Sequence, residues 1–232
     1  MKFGLGYDWK ELKRFEKLDK KDRSIVFYLE NEYYFIYFQP IVEKLTQKYD
    51  MKICYITSSK TDPMLTCKDK NILPFYIGDG MARSNFFINL KATIIVMTMP
   101  DLETFHIKRS KVYPVHYVYI FHSLCSTHYI YRKTAFDNFN TIFCTGNYQI
   151  IEIQEREKKF NLEKKKLVKH GYGRLDTLIN ESRSTEIRKS ASNNKVILIA
   201  PSWGANGLIE TNGQKIISIL LDSGFDVILR PH

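Results

Sequence analysis

What this sequence has little of bounds it first. Its four cysteines, Cys54, Cys67, Cys125 and Cys144, make no C-x-x-C pair, so neither a zinc ribbon nor a disulfide framework is expected, and reduced, cytosolic thiols are. No apolar run comes near the roughly 20 residues of a bilayer span; one of the longest is at 92–99. The opening M-K-F-G-L-G-Y-D-W-K lacks the apolar centre of a signal peptide. There is no P-loop, no dinucleotide fingerprint, no repeat and no low-complexity tract. Acid is outweighed by base, 25 Asp and Glu against 35 Lys and Arg, for a net charge of +10. An anionic partner follows: nucleic acid, a phospholipid surface or a phosphorylated substrate. Because no nucleic-acid recognition motif accompanies the charge, nucleic acid is set aside.

What is present is a recurrence of short apolar runs: S-I-V-F-Y-L, M-K-I-C-Y-I-T, A-T-I-I-V-M-T, H-Y-V-Y-I-F, T-I-F-C-T, V-I-L-I-A and D-V-I-L-R. Continuous rather than alternating runs are expected of strands buried on both faces. Helices are expected between them, at 33–48, 81–89, 127–138, 148–159 and 213–223, the last stopped by Gly224. Pro40 should kink or split the first. The lysine-rich E-R-E-K-K-F-N-L-E-K-K-K-L is expected to be a solvated helix face. Together these predict an α/β fold with parallel sheets. The polar stretch E-S-R-S-T-E-I-R-K-S-A-S-N-N reads as a linker, which divides the chain into a lobe over 1–180, a linker over 181–194 and the start of a second lobe over 195–232. A single βαβ unit leaves a sheet uncovered, so this second lobe is expected to be truncated.

Several segments carry candidate chemistry. His122, Cys125 and His128 have the spacing H-x-x-C-x-x-H. On one helix or one strand these side chains diverge, and no further ligand pair completes a zinc site. His122 instead falls where the strand H-Y-V-Y-I-F ends, followed by Ser123. Open α/β sheets bind ligands beyond the carboxyl ends of their strands, so His122 is a candidate general base, with His116 and Cys125 expected to pack. D-L-E at 101–103 resembles a cation-binding pair but is short and common. K-H-G-Y-G-R-L-D, at 169–176, is expected to be a tight turn feeding a helix, with Arg174 and Asp176 placed to pair. A-P-S-W-G-A-N-G follows a strand and precedes a helix, so Ser202 and nearby amides are candidates for holding a phosphate. The closing R-P-H adds Arg230 and His232 to the same edge.

Taken in order, F-H-S, G-Y-G-R-L-D, A-P-S-W and R-P-H resemble the pattern of the CDP-glycerol glycerophosphotransferase family, which includes teichoic-acid and capsule polymerases. The resemblance spans about 81–232. It implies a GT-B-like fold of two Rossmann-type lobes, the transfer of glycerol phosphate from CDP-glycerol to a membrane-linked acceptor, and release of CMP. It further implies His122 as the base, His232 with Ser202 and Arg230 at the donor phosphates, and Ser123, Arg174 and Asp176 lining the cleft. No metal or cofactor is implied; a place at the inner membrane face is. The sequence departs from the family at Ser123, where a glycine is usual, at Gly173 in place of proline, and at Gly204 where an arginine is common.

Overall fold

The computed structural model describes residues 6–105, 107–184, 194–202 and 204–231. The chain divides into two compact units, Met1–Glu181 and Ser182–His232, each built on parallel strands.

In the first unit the strands are β1 (Ile25–Leu29), β2 (Ile53–Thr57), β3 (Ile72–Tyr76), β4 (Ile94–Met97), β5 (His116–Ile120), β6 (Thr141–Cys144) and β7 (Lys166–Lys169). Its helices are α1 (Tyr7–Glu16), α2 (Phe35–Glu43), α3 (Met81–Asn89), α4 (Asn147–Phe160) and α5 (Gly173–Ser184). The seven strands form one sheet in the order β3-β2-β1-β4-β5-β6-β7, every neighbouring pair parallel. Strands β1 to β3 step outward in one direction and β4 to β7 in the other. The direction changes between β1 and β4, and at such a switch point the loops after the strands splay apart and leave a crevice.

Both faces of the sheet are covered, and for this reason the strands are continuously apolar. Val26 and Tyr28 point into a core with Leu12 and Phe15 of α1 and Phe86 and Phe87 of α3. Phe27 and Leu29, one residue out of phase, meet Phe38 and Val42 of α2 on the opposite face. The seven strand runs expected from sequence all form. Two further strands, β3 and β7, were not legible, and they are the two edges. β3 contains Pro74 and β7 reads K-L-V-K; an edge strand tolerates proline and carries lysine because one side of its ladder is unpaired.

Four local expectations are corrected. Residues 127–138 form turns rather than a helix. At their start Thr127 is tied to α4, its N and Oγ1 donating to Glu152 Oε2 at 2.6 Å, later amides bond within the turns, and Phe136 is drawn into the core. Cys125, in the adjoining loop, is exposed instead of packed. The lysine-rich segment is helical only to Phe160, where Asn161 adopts the left-handed conformation (φ 49°), and its remainder forms a loop and edge strand β7. Asp176 stands two residues beyond Arg174 on α5, a spacing at which helical side chains do not face each other; no ion pair joins them among the described residues. Pro40 lies inside α2, which passes into a π-helical turn at Lys44–Lys48. A helix at α1 was not anticipated.

The second unit contains β8 (Val196–Ile199), α6 (Gln214–Asp222) and β9 (Asp226–Leu229), a parallel βαβ unit. α6 is preceded by a π-helical turn at Ile209–Gly213. It ends at Gly224, whose φ of 83° suits a residue without a Cβ.

Candidate active site

The loops after β1, β4 and β5 converge on His122, two residues beyond β5. The run of buried residues along β5 ends at Phe121, so His122 is the first side chain that reaches past the sheet, and it is half-buried. Tyrosines from three separate elements surround its ring. Tyr34, in the 3-10 turn after β1, lies edge-on with centroids 5.3 Å apart, and Tyr37 of α2 is at 6.2 Å. Tyr131, from the turns after β5, is at 6.5 Å. Tyr172, just before α5, donates its hydroxyl to the main-chain oxygen of His122 at 3.1 Å and packs on Tyr37 at 5.7 Å.

This surround sets the electrostatics. Burial holds the His122 imidazole below its ordinary pKa of 6.5, and the Thr98 main chain opposes this more weakly. Nδ1 is buried beside Thr98 without a well-formed hydrogen bond, which leaves Nε2 as the nitrogen available to a ligand. The ring is therefore neutral at pH 7, the state in which it accepts a proton. The hydroxyls of Tyr34 and Tyr131 are held above their ordinary value by burial. So is that of Tyr172, well above, with Tyr37 adding to the shift and the Arg174 charge opposing it. These phenols stay protonated and serve as donors.

Among the other sequence candidates, Ser123 hydrogen-bonds through Oγ to the Tyr131 hydroxyl at 2.9 Å, so it holds the cage instead of standing free. Gly173 opens α5. A Cβ there would lie 3.0 Å from Cγ of Pro40, so the position that is proline in the resembling pattern is here crowded by another proline. Arg174 is half-buried beside Tyr172, while Asp176 is exposed and acts on His170, whose pKa burial lowers and the Asp176 charge raises. In D-L-E, Asp101 and Glu103 both have positive φ (63° and 75°). The Glu103 carboxylate accepts from the amide of Arg109, so it is occupied within its own loop. No cluster of three candidate metal ligands occurs among the described residues. His116, the first residue of β5, is hydrogen-bonded through Nε2 to Thr141 Oγ1 at 2.8 Å.

In the second unit, Ser202 follows β8 and Arg230 follows β9, with the Arg230 amide bonded to Ile199 O at 2.8 Å. Both therefore stand at the carboxyl edge of that two-stranded sheet, exposed. His232 lies outside the described residues.

Sequence reasoning singled out His122 but missed its tyrosine cage. The available signal was N-E-Y-Y-F-I-Y directly after a strand, three tyrosines in a segment that reads at first as one amphipathic helix.

The neutrality of His122 has a measurable consequence. In a histidine NMR titration its midpoint is expected below 6.5, with His116 and His170, also lowered by burial, shifted in the same direction. Because the folded midpoints are depressed, the unfolded chain binds more protons below pH 6.5, so folding stability should fall as pH drops through 6.5 toward the folded values. A His122 midpoint at or above 6.5 would contradict the cage as described.

No family model and no curated protein matches the sequence. Among solved structures, the chain is similar to the wall teichoic acid polymerase TagF, in a histidine-to-asparagine variant with CDPG. The alignment covers 97% of this chain and 60% of that one, at 16% identity and a TM-score of 0.47. This chain thus spans less than two thirds of the length of the polymerase chain with which it aligns.

Proposed function

We propose that the protein is a glycerophosphotransferase-like enzyme, in which an acceptor hydroxyl attacks the glycerol-bearing phosphorus of CDP-glycerol and CMP leaves. The observation that carries the reading is His122, a neutral imidazole caged by tyrosines at the carboxyl end of β5, one strand from the switch point. Its Nε2 takes the proton of the attacking hydroxyl. The P–O bond to the acceptor forms as the bond to CMP breaks, and the departing phosphate carries the charge. Ser202, Arg230 and His232 are the proposed partners of the donor diphosphate, with Ser123, Arg174 and Asp176 on the acceptor side. Phosphoryl transfer asks a protein mainly for such positioning and charge stabilisation. The net charge of +10 suits an anionic donor and an anionic, membrane-linked acceptor at the inner membrane face. No helix among the described residues is long and apolar enough to cross a membrane, so this placement would be peripheral. The second unit is proposed as belonging to a donor-binding lobe; of the expected linker 181–194, the residues to Ser184 are part of α5.

The test is donor competition. CDP-glycerol with a polyol-phosphate acceptor is expected to yield CMP, with UDP- and GDP-sugars inert. Turnover with nucleotide sugars alone would establish the rival, a GT-B glycosyltransferase using the same histidine. If this chain is silent and one extended by further strands and helices releases CMP, the 232 residues are a non-catalytic piece of the enzyme.

A further inference from the structure

A general base removes the acceptor proton, but phosphoryl transfer also spreads charge over the oxygens of the attacked phosphorus, and that charge needs a donor. The tyrosines around His122 are not equivalent in this respect. The Tyr172 hydroxyl is committed to the main-chain oxygen of His122 at 3.1 Å. The Tyr131 hydroxyl is held by a side chain instead, with Oγ of Ser123 2.9 Å away, and Ser123 directly follows His122 in the chain. The Tyr131 ring is fixed by edge-on contacts with Phe121 at 5.9 Å and Phe136 at 4.9 Å.

A second hydroxyl stands at the same oxygen. Tyr119 of β5 is fully buried, and its hydroxyl lies beside Tyr131 without a well-formed hydrogen bond. Burial raises the pKa of the Tyr131 hydroxyl, and hydrogen bonds from Ser123 and Tyr119 oppose the rise, which is the effect of donors aimed at its oxygen. A phenol that accepts from Ser123 and Tyr119 keeps its own hydrogen for a third group. The His122 ring is near, at 6.5 Å between centroids.

We propose that Tyr131 is a further catalytic residue of the transfer, its hydroxyl donating to a non-bridging oxygen of the attacked phosphorus, and that Ser123 is the positioning residue that turns the hydroxyl toward it. The inference rests on the transferase reading and deepens it. In the step, the acceptor proton passes to Nε2 of His122, the new P–O bond forms and the bond to CMP breaks. Tyr131 keeps its proton throughout, and its hydrogen bond strengthens as charge gathers on the phosphoryl oxygen. A donor fixed before the reaction stabilises that charge without reorganising. Ser123 stands where the resembling pattern has a glycine, so the arrangement is particular to this chain.

The test uses whichever form of the chain turns over the donor, with Tyr131→Phe, Ser123→Gly and the double variant. Tyr131→Phe should lower kcat roughly 10²-fold, the loss that follows removal of one such donor, and leave KM for CDP-glycerol within about twofold. Ser123→Gly should lower kcat roughly tenfold, the upper worth of one neutral hydrogen bond. In the Tyr131→Phe background the same change should cost nothing further, because the two residues act as one unit. Sulfur in place of one non-bridging oxygen on the glycerol-bearing phosphorus accepts hydrogen bonds poorly, so in one diastereomer it should slow the parent more than it slows Tyr131→Phe. Tyr33→Phe, at an exposed tyrosine, should match the parent, and circular dichroism verifies that each variant is folded. Near-parental kcat in Tyr131→Phe, a loss confined to KM, losses that multiply in the double variant, or equal thio effects would overturn the proposal and leave the transferase reading standing. A parent that releases no CMP in any form overturns both.

Discussion

Replacing His122 by glutamine is expected to lower CMP release from CDP-glycerol by roughly 10²–10⁴-fold, the contribution of a positioned general base, with the fold unchanged by circular dichroism. The assay belongs to whichever form of the chain turns over the donor. Glutamine keeps the approximate size of the ring among Tyr34, Tyr37 and Tyr131 but has no titratable nitrogen, so the loss reports proton transfer more than packing. His116→Gln and His170→Gln are the comparison. Their rings are tied to Thr141 or packed on Phe143, away from the cage, and turnover should stay within a fewfold of the parent. The acid limb of the parent pH profile should fall below 6.5, because burial disfavours the imidazolium. Near-normal turnover by His122→Gln would end the assigned role, whatever the donor proves to be.

How far this site was readable in the sequence depended on which forces placed each residue. His122 was legible because its position is set locally, where a buried strand stops and small polar residues begin. The central strands were legible for a related reason: burial on both faces leaves a run of apolar letters that needs no partner to be recognised. The cage was not. Tyr34, Tyr37, Tyr131 and Tyr172 come from three parts of the chain and meet only through the β3-β2-β1-β4-β5-β6-β7 order, and no sequence period encodes that order. The turns at 127–138 failed for a matching reason. Glu152 of α4 accepts from both Thr127 N and Thr127 Oγ1, and Phe136 is drawn into the core, so tertiary contact overrode local propensity. Edge β3 failed because Pro74 interrupts its apolar run, and edge β7 because lysines flank Leu167 and Val168.

The same dependence of site on fold predicts the effect of Phe38→Ala. Phe38 is fully buried on α2 and meets Phe27 of β1 edge-on at 5.6 Å. Truncation of such a ring costs about 3–5 kcal/mol, a large part of the roughly 5–15 kcal/mol that holds a domain folded, and a urea midpoint would register it. Beyond Phe38, α2 is held by buried Val42 and by partly buried Phe35 and Ile41, with Phe35 edge-on to Tyr55 at 5.7 Å. It spans nine residues, contains Pro40 with no amide hydrogen to donate, and gives way to a π-helical turn. Tyr37 lies on the same helix and Tyr34 directly precedes it, so loosening α2 should admit water to the cage and let the His122 midpoint rise toward 6.5. Phe86→Ala separates this from general destabilisation. Phe86 is equally buried but faces Phe15 and Phe87 on the opposite side of the sheet. It should cost similar stability and leave the His122 titration where it was. If both variants shift that titration alike, or neither does, α2 is not what holds the tyrosines against the histidine.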